Sequence, residues 1–231
     1  MRLDKFISHC TPLSRKQSRI EIHAGRVRVN GMAITTAAAN VQSSDAVTLA
    51  ETVLTLPGPR YLMLNKPINM VCATTDPSHP CVIDLLNDQA PGLKIAGRLD
   101  KDSTGLVLLS DDGDWIHKVT SPRRSCAKTY RVEIDTPLTD TTIERFAQGI
   151  LLHSEAKPTR PAVVESLSEY TTKVMIEEGR YHQIKRMFAA CGHHVTRLHR
   201  EQIGAIRLDE KLLAGQYRPL FTAEIASVLA Q

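Results

Sequence analysis

Apolar positions in the first fifty residues recur in short periods. Leu3, Phe6 and Ile7 fall on one face of a helix over 2–10, and Thr11-Pro12 ends it. Ser14 is a suitable N-cap for a second helix over 15–24, stopped at Gly25. Its apolar positions are few (Ile20, Ile22, Ala24), and its polar side carries Arg15, Lys16 and Arg19. Arg26–Val29 then alternates with period two, Asn30-Gly31 is a strong hairpin turn, and Val47 with Leu49 marks another short strand. Leu56-Pro57-Gly58-Pro59 can continue neither a helix nor a central strand. These breaks predict a small module over 1–54, a linker at 55–59 and a larger domain over 60–231.

Beyond the linker, strands and helices alternate irregularly. Tyr61–Leu64 and Met70–Ala73 read as paired strands around Asn65-Lys66-Pro67. Leu106–Leu109 is a continuous apolar run, predicting a buried strand, and Asp111-Asp112-Gly113 turns the chain. Tyr130, Val132 and Ile134 alternate with Thr129, Arg131 and Glu133 as in a half-buried strand. Residues 139–149 are helical up to Gly149, and Val174 with Ile176 belongs to a further strand. The clearest helix covers 182–191: Ile184, Met187, Phe188 and Cys191 keep helical spacing, and Gly192 is the stop. This order predicts an α+β fold with a mixed or antiparallel sheet rather than a doubly wound parallel one.

Composition changes that picture in two places. No apolar run approaches the roughly 20 residues of a bilayer span, and MRLDKFISHC is no signal peptide, so a cytoplasmic protein without a membrane is expected. The five cysteines are scattered, without a Cys-x-x-Cys pair, and read as reduced thiols; no histidine spacing suggests a metal. The net charge is +4, and residues 1–50 hold seven Lys/Arg against three acids while the other 181 residues hold 22 of each. A basic excess confined to one module points to a polyanionic partner, although a solvated helix face accounts for the same charge.

Two segments concentrate chemistry. Ala96–Leu106 packs Arg98, Asp100, Lys101, Asp102 and two glycines just before the buried strand, as a polar loop at a sheet edge. Either carboxylate suits a reactive role, but Asp102 equally suits a turn and Asp100 a structural ion pair. In Glu178–Phe188, Lys185 lies beside the apolar stripe and would point into a cleft, while Arg186 would face solvent. From Arg180 to Arg200 there are five Lys/Arg and no acid, and Pro122-Arg123-Arg124 with Lys128 forms a third basic stretch. Neither a Walker-type phosphate loop nor a G-x-G-x-x-G fingerprint appears, so no nucleotide cofactor is expected.

Together these segments resemble the RsuA family of pseudouridine synthases. LNKPINMVCAT, with Lys66-Pro67, is similar to its first motif; AGRLDKDSTGLVLLSDDG to its second; KTYRV to its active-site strand; and EGRYHQIKRMF to its third. RLDKFIS, GRVRVNG and the late Asp45-Ala46-Val47 resemble an S4-type RNA-binding domain. The resemblance covers nearly the whole chain. It implies a small S4-like α/β domain ahead of a catalytic domain with a mixed, mainly antiparallel sheet. The implied reaction turns a uridine of 16S ribosomal RNA, uridine 516 being the expected one, into its C-glycoside isomer, without metal or cofactor.

By that resemblance Asp100 is the catalytic carboxylate, acting as nucleophile or as the base that starts glycal formation. Lys185 is its cationic partner, and Tyr130 stacks on the extruded uracil, although periodicity alone also fits a core tyrosine. Arg15, Lys16, Arg19, Arg26, Lys66, Arg98, Arg123, Arg124, Arg180 and Arg186 are the expected RNA contacts, with Arg98 on a phosphate or in the vacated stack. The expected partner is 16S RNA in a pre-ribosomal particle, met by a monomer. Three alternatives stay open: a sister synthase acting on 23S RNA, a non-catalytic S4-domain assembly factor, and a carboxylate-pair glycoside hydrolase, which leaves the basic module unexplained.

Overall fold

The structure is a computed structural model. It describes residues 1–42, 44–90, 92–121 and 125–229, and at 88 and 89 the backbone alone. The chain divides into two compact units, Met1–Gly58 and Pro59–Gln231.

In the first unit, helix α1 (Leu3–Cys10) buries Leu3, Phe6 and Ile7. Helix α2 (Arg15–His23) starts at a reciprocal cap, in which the Ser14 hydroxyl accepts the Gln17 amide and the Gln17 side chain accepts the Ser14 amide. Strands β1 (Val27–Val29), β2 (Met32–Ala33), β3 (Val47–Leu49) and β4 (Thr52–Leu54) form a sheet in the order β2-β1-β3-β4. The β1–β2 turn places Asn30 at φ 52° and Gly31 at φ 81°, the left-handed pair a tight hairpin needs. Ile22, Val27 and Val47 close a small core against α1.

The second unit runs β5 (Tyr61–Lys66), a 3₁₀ stretch (Val82–Gln89), β6 (Lys94–Ala96), β7 (Thr104–Ser110), α3 (Gly113–Thr120), β8 (Lys128–Ile134), α4 (Asp140–Gln148), β9 (Val163–Ser166), β10 (Thr171–Ile176), α5 (Gln183–Ala190), β11 (Val195–Ile203), β12 (Ile206–Arg207), β13 (Tyr217–Pro219) and α6 (Thr222–Leu229). The sheet order is β13-β5-β7-β11-β8-β10-β9, with β12 on β11 and β6 on β7. Among the described residues every pairing is antiparallel except β7–β11. The fold is therefore α+β with a mixed, mostly antiparallel sheet. Strand β7 is buried on both faces: Val107 and Leu109 join one core with Val132, Val174 and Phe188, while Leu106 and Leu108 join another with Trp115 and Ile203. That is why its sequence is an unbroken apolar run.

One edge of β7 is shared. Its first residues pair with β11 (Thr104 with His199, Gly105 with Arg200), and its last pair with β6 (Leu108 with Ala96). A strand has two edges, and β5 fills the other. Strands β6 and β11 must therefore diverge, and the gap between them opens a cleft below the β6–β7 loop.

The expected pairing of Met70–Ala73 with Tyr61–Leu64 is not what the chain does. Strand β5 pairs with β7 and β13, and Val71 makes only an isolated parallel bridge to Cys81. Asn69 at φ 66° turns the chain, and its amide donates to the Lys101 carbonyl at 2.9 Å. Asn69 thus supports the β6–β7 loop, while the Val71 backbone bonds to Pro80 and Val82 instead of a ladder. Asp111-Asp112-Gly113 turns as expected and also starts α3, because the Asp112 carboxylate accepts the amides of Asp114 and Trp115.

Candidate active site

The β6–β7 loop carries Asp100 at the mouth of a cleft of about 790 Å³, lined among others by Asp100, Lys128, Tyr130, Tyr181, His182 and Arg200. Two buried cations hold this loop by its carbonyls. The Lys66 ammonium, 0% exposed, donates to the carbonyls of Pro67 at 3.0 Å, Lys101 at 3.2 Å and Ser103 at 2.6 Å. Arg200, also buried, donates from Nε to Leu106 O at 2.8 Å, from Nη1 to Arg98 O at 3.2 Å and from Nη2 to Gly97 O at 2.9 Å. The Ser103 amide closes the turn on the Asp100 carbonyl at 3.1 Å. Gly105, at φ 103°, lies so close to β11 that a Cβ there would stand 2.4 Å from the Arg200 carbonyl oxygen.

Around Asp100 side chains converge from α5 and from the residue before it. Lys185 Nζ stands 3.4 Å from Asp100 Oδ2 and 2.5 Å from Asp102 Oδ1, and His182 Nε2 is 3.4 Å from Asp100 Oδ1. Asp100 is 28% exposed and lines the cleft, whereas Asp102 is 66% exposed and lies outside it. Burial pushes the Asp102 carboxyl up, but the hydrogen bond and charge of Lys185 outweigh it and hold the group below its ordinary value. His182 is the residue before α5 and takes a left-handed backbone (φ 47°, ψ 35°). Its ring stacks on Tyr181 at 3.9 Å between centroids.

The cleft wall comes from β8. Tyr130 is buried on the face it shares with Val132 and Ile134, and the Arg200 guanidinium lies 6.0 Å from its ring centre. Two residues earlier, Lys128 also lines the cleft, and burial depresses its ammonium below the ordinary lysine value. A half-buried carboxylate beside an ammonium, in a cleft wide enough for a nucleotide and walled by an aromatic ring, can work on a flipped base by side-chain chemistry alone. Among the described residues no His/Cys/Asp/Glu group is arranged to hold a metal, and no helix is long and apolar enough to cross a membrane.

Comparison with known proteins decides the class. Residues 60–190 match the RNA pseudouridylate synthase family. The chain belongs to that family. It is similar to the ribosomal small subunit pseudouridine synthase A of Escherichia coli (strain K12), 50% identical over 231 residues covering 99% of this chain and 100% of that protein. The protein of the same description from Haemophilus influenzae is 43% identical over 231 residues, with 99% and 100% covered. A solved crystal structure of a pseudouridylate synthase superposes with a TM-score of 0.73 at 42% identity, covering 99% of each chain. The protein is accordingly an isomerase that converts uridine in RNA to pseudouridine. The family match includes the whole β6–β7 loop, β8 and α5.

Within this synthase the expected site residues separate into groups. Asp100 and Tyr130 line one cleft, and Lys185 meets the Asp100 carboxylate from α5. Arg98 is exposed at its rim. Lys66, expected to touch RNA, is instead enclosed and spends its donors on three backbone carbonyls. Arg180 and Arg186, expected at the RNA surface, are turned inward. Arg180 binds Glu178, Glu155 and the carbonyls of Lys157 and Pro158, while Arg186 binds Glu155 and the carbonyls of Tyr181 and His153. They fasten the 153–158 loop to the start of α5 and do not present free charge to solvent. Arg123 and Arg124 lie outside the described residues.

In the first unit Arg15 and Arg19, both half-exposed, share the fully buried Asp4 carboxylate with Arg2. These guanidiniums, the Arg2 hydrogen bond foremost, hold Asp4 far below the ordinary carboxylate value. Arg26 pairs with Glu21 at 2.6 Å, and Lys16 is exposed. Sequence reasoning missed His182 and Arg200. His182 had a signal, its place between Tyr181 and the helix. Arg200 had none, because its partners are carbonyls of residues about a hundred positions away.

Proposed function

We propose that this enzyme isomerises a uridine of 16S ribosomal RNA, with Asp100 as the carboxylate that opens the bond between the base and its ribose. One observation carries the reading: Asp100 is the carboxylate that both lines the cleft and meets Lys185 and His182. Lys185 stands beside it as a counter-ion, and its second contact with Asp102 fixes the ammonium in place. Tyr130, on the cleft wall, packs against the extruded uracil and stands ready to move a proton during the ring's rotation and rejoining through C5. The substrate assignment rests on relatives described as small-subunit enzymes, and uridine 516 is the position we assign.

We read residues 1–58 as an S4-like unit that binds phosphates. Arg2, Arg15 and Arg19 around one buried carboxylate leave a net positive cluster, pre-oriented and half-exposed. The enzyme acts as a monomer in the cytoplasm on RNA of an assembling particle. Modification mapping of ribosomal RNA from cells with and without this protein tests the assignment. Loss of pseudouridine at position 516 of 16S RNA is expected; a change confined to 23S RNA would overturn it.

A further inference from the structure

Tyr181 does not fit the role of a wall residue. It is 76% exposed, the most exposed aromatic side chain among the described residues, yet it lines the active-site cleft. The next most exposed, Phe221, has its face covered by Arg218 at 4.4 Å. One face of Tyr181 is covered by His182, with centroids 3.9 Å apart and planes 17° off parallel. The other face is open, and leaving it in water wastes apolar area.

The pair is rigidly held. The Tyr181 carbonyl accepts from Arg186 Nη1 at 3.2 Å, the Arg180 amide donates to the Gln183 side chain at 2.9 Å, and His182 keeps its left-handed backbone. Carboxylate, imidazole and phenol thus form a chain of contacts: His182 Nε2 lies 3.4 Å from Asp100 Oδ1, and the imidazole stacks on the phenol.

Extruding a uridine takes a stacking partner from the base on either side of it, at a cost of a few kcal/mol. An open, oriented aromatic face at the rim of the pocket is what such a base would seek, and aromatic stacking serves any base. We propose that Tyr181 is a base-stacking subsite: its outer face receives the unpaired nucleobase next to the extruded uridine and so stabilises the open RNA. The inference rests on the RNA reading above and adds a specific ligand, a flanking base, at a residue outside the isomerising groups.

The test compares wild type with Tyr181→Ala, Tyr181→Phe and Tyr181→Trp on a 16S RNA transcript labelled with tritium at uridine C5. Tyr181→Ala should raise KM about tenfold, with a smaller effect on kcat, while Phe and Trp, which keep a ring, should stay within about twofold of wild type. Because the side chain is exposed, the melting temperature of Tyr181→Ala should match that of wild type. A KM unchanged in Tyr181→Ala, or a Phe variant as impaired as the Ala variant, overturns the proposal.

A second readout needs no turnover. The natural tryptophan, Trp115, is fully buried, so Tyr181→Trp adds an exposed reporter to a shielded background. Titration with oligouridylate should quench the added emission, and absence of quenching at saturating RNA counts against stacking. Were wild type inactive on the transcript, the kinetic arm would be run on the RNA within its assembling particle, and the quench would still decide for or against the subsite.

Discussion

Replacing Lys66 by Met tests how the β6–β7 loop is held. The substitution keeps length and apolar bulk but removes three donors to the carbonyls of Pro67, Lys101 and Ser103. The Lys101 carbonyl keeps the Asn69 amide, so its loss is partial. A carbonyl left unsatisfied costs about 1–3 kcal/mol. Against this, Met carries no buried charge, and burial already pulls the Lys66 ammonium below its ordinary pKa. The balance is a destabilisation of about 2–5 kcal/mol. For a unit of this size that lowers the melting temperature by roughly 5–15 °C.

The functional effect should exceed the stability effect. Two of the three carbonyls, Lys101 and Ser103, lie within three residues of Asp100. A loop displaced by about 1 Å can cost up to 100-fold in rate. At a temperature where Lys66→Met is fully folded, kcat in tritium release should therefore drop at least about tenfold, with a smaller change in KM. Calorimetry and single-turnover kinetics on one preparation make the comparison. A melting shift below about 1 °C, or a folded variant with wild-type kcat, would show that the buried lysine does not hold the loop.

Arg200→Lys keeps the charge but not the three-carbonyl fork, and should cost about 1.5–3 kcal/mol in chemical denaturation, with kcat reduced beyond that of a surface Arg→Lys control. Asp4→Asn should destabilise the first unit by about 1–3 kcal/mol at neutral pH, a value discounted because its guanidinium partners are half-exposed, as read by amide exchange in α1 and α2. Because the Asp4 carboxyl is depressed in the folded chain, its stabilisation is present above the unfolded value of 3.8 and is lost as pH falls below it toward the folded value. Wild type should lose stability through that acid window faster than Asp4→Asn, and parallel curves would refute the Asp4 assignment.

Elements whose sequence pattern is set by local burial were legible. The β7 run reads as a buried strand because both of its faces are covered, and α5 reads as a helix because Ile184, Met187 and Phe188 share one buried face. Strand β11 was not read. Register shifts at Val195/Arg197 and Arg200/Gln202 interrupt its period of two, and exposed Arg197 and buried Arg200 look alike in the sequence. Met70–Ala73 has strand composition, but its backbone hydrogen bonds go to Pro80 and Val82, and the Cys72 sulfur accepts the Leu99 amide.

The same limit applies to the site. Lys66, Arg180 and Arg186 read as RNA-facing cations because a cation is rarely buried without a carboxylate partner, whereas here backbone carbonyls do much of the pairing. The choice between Asp100 and Asp102 could not be drawn from residue types two positions apart. The family resemblance named Asp100, and the exposures of the two, 28% against 66%, with the position of His182, support that choice.

That choice is the centre of the account, and one experiment bears on it directly: single-turnover tritium release from C5-labelled RNA by Asp100→Asn and Asp102→Asn side by side. Asp100→Asn should lose at least about a thousandfold in rate while staying folded, and Asp102→Asn, which only loosens the hold on Lys185, no more than about tenfold. An Asp100→Asn enzyme that releases tritium at the wild-type rate, or an Asp102→Asn enzyme equally inactive, would contradict it.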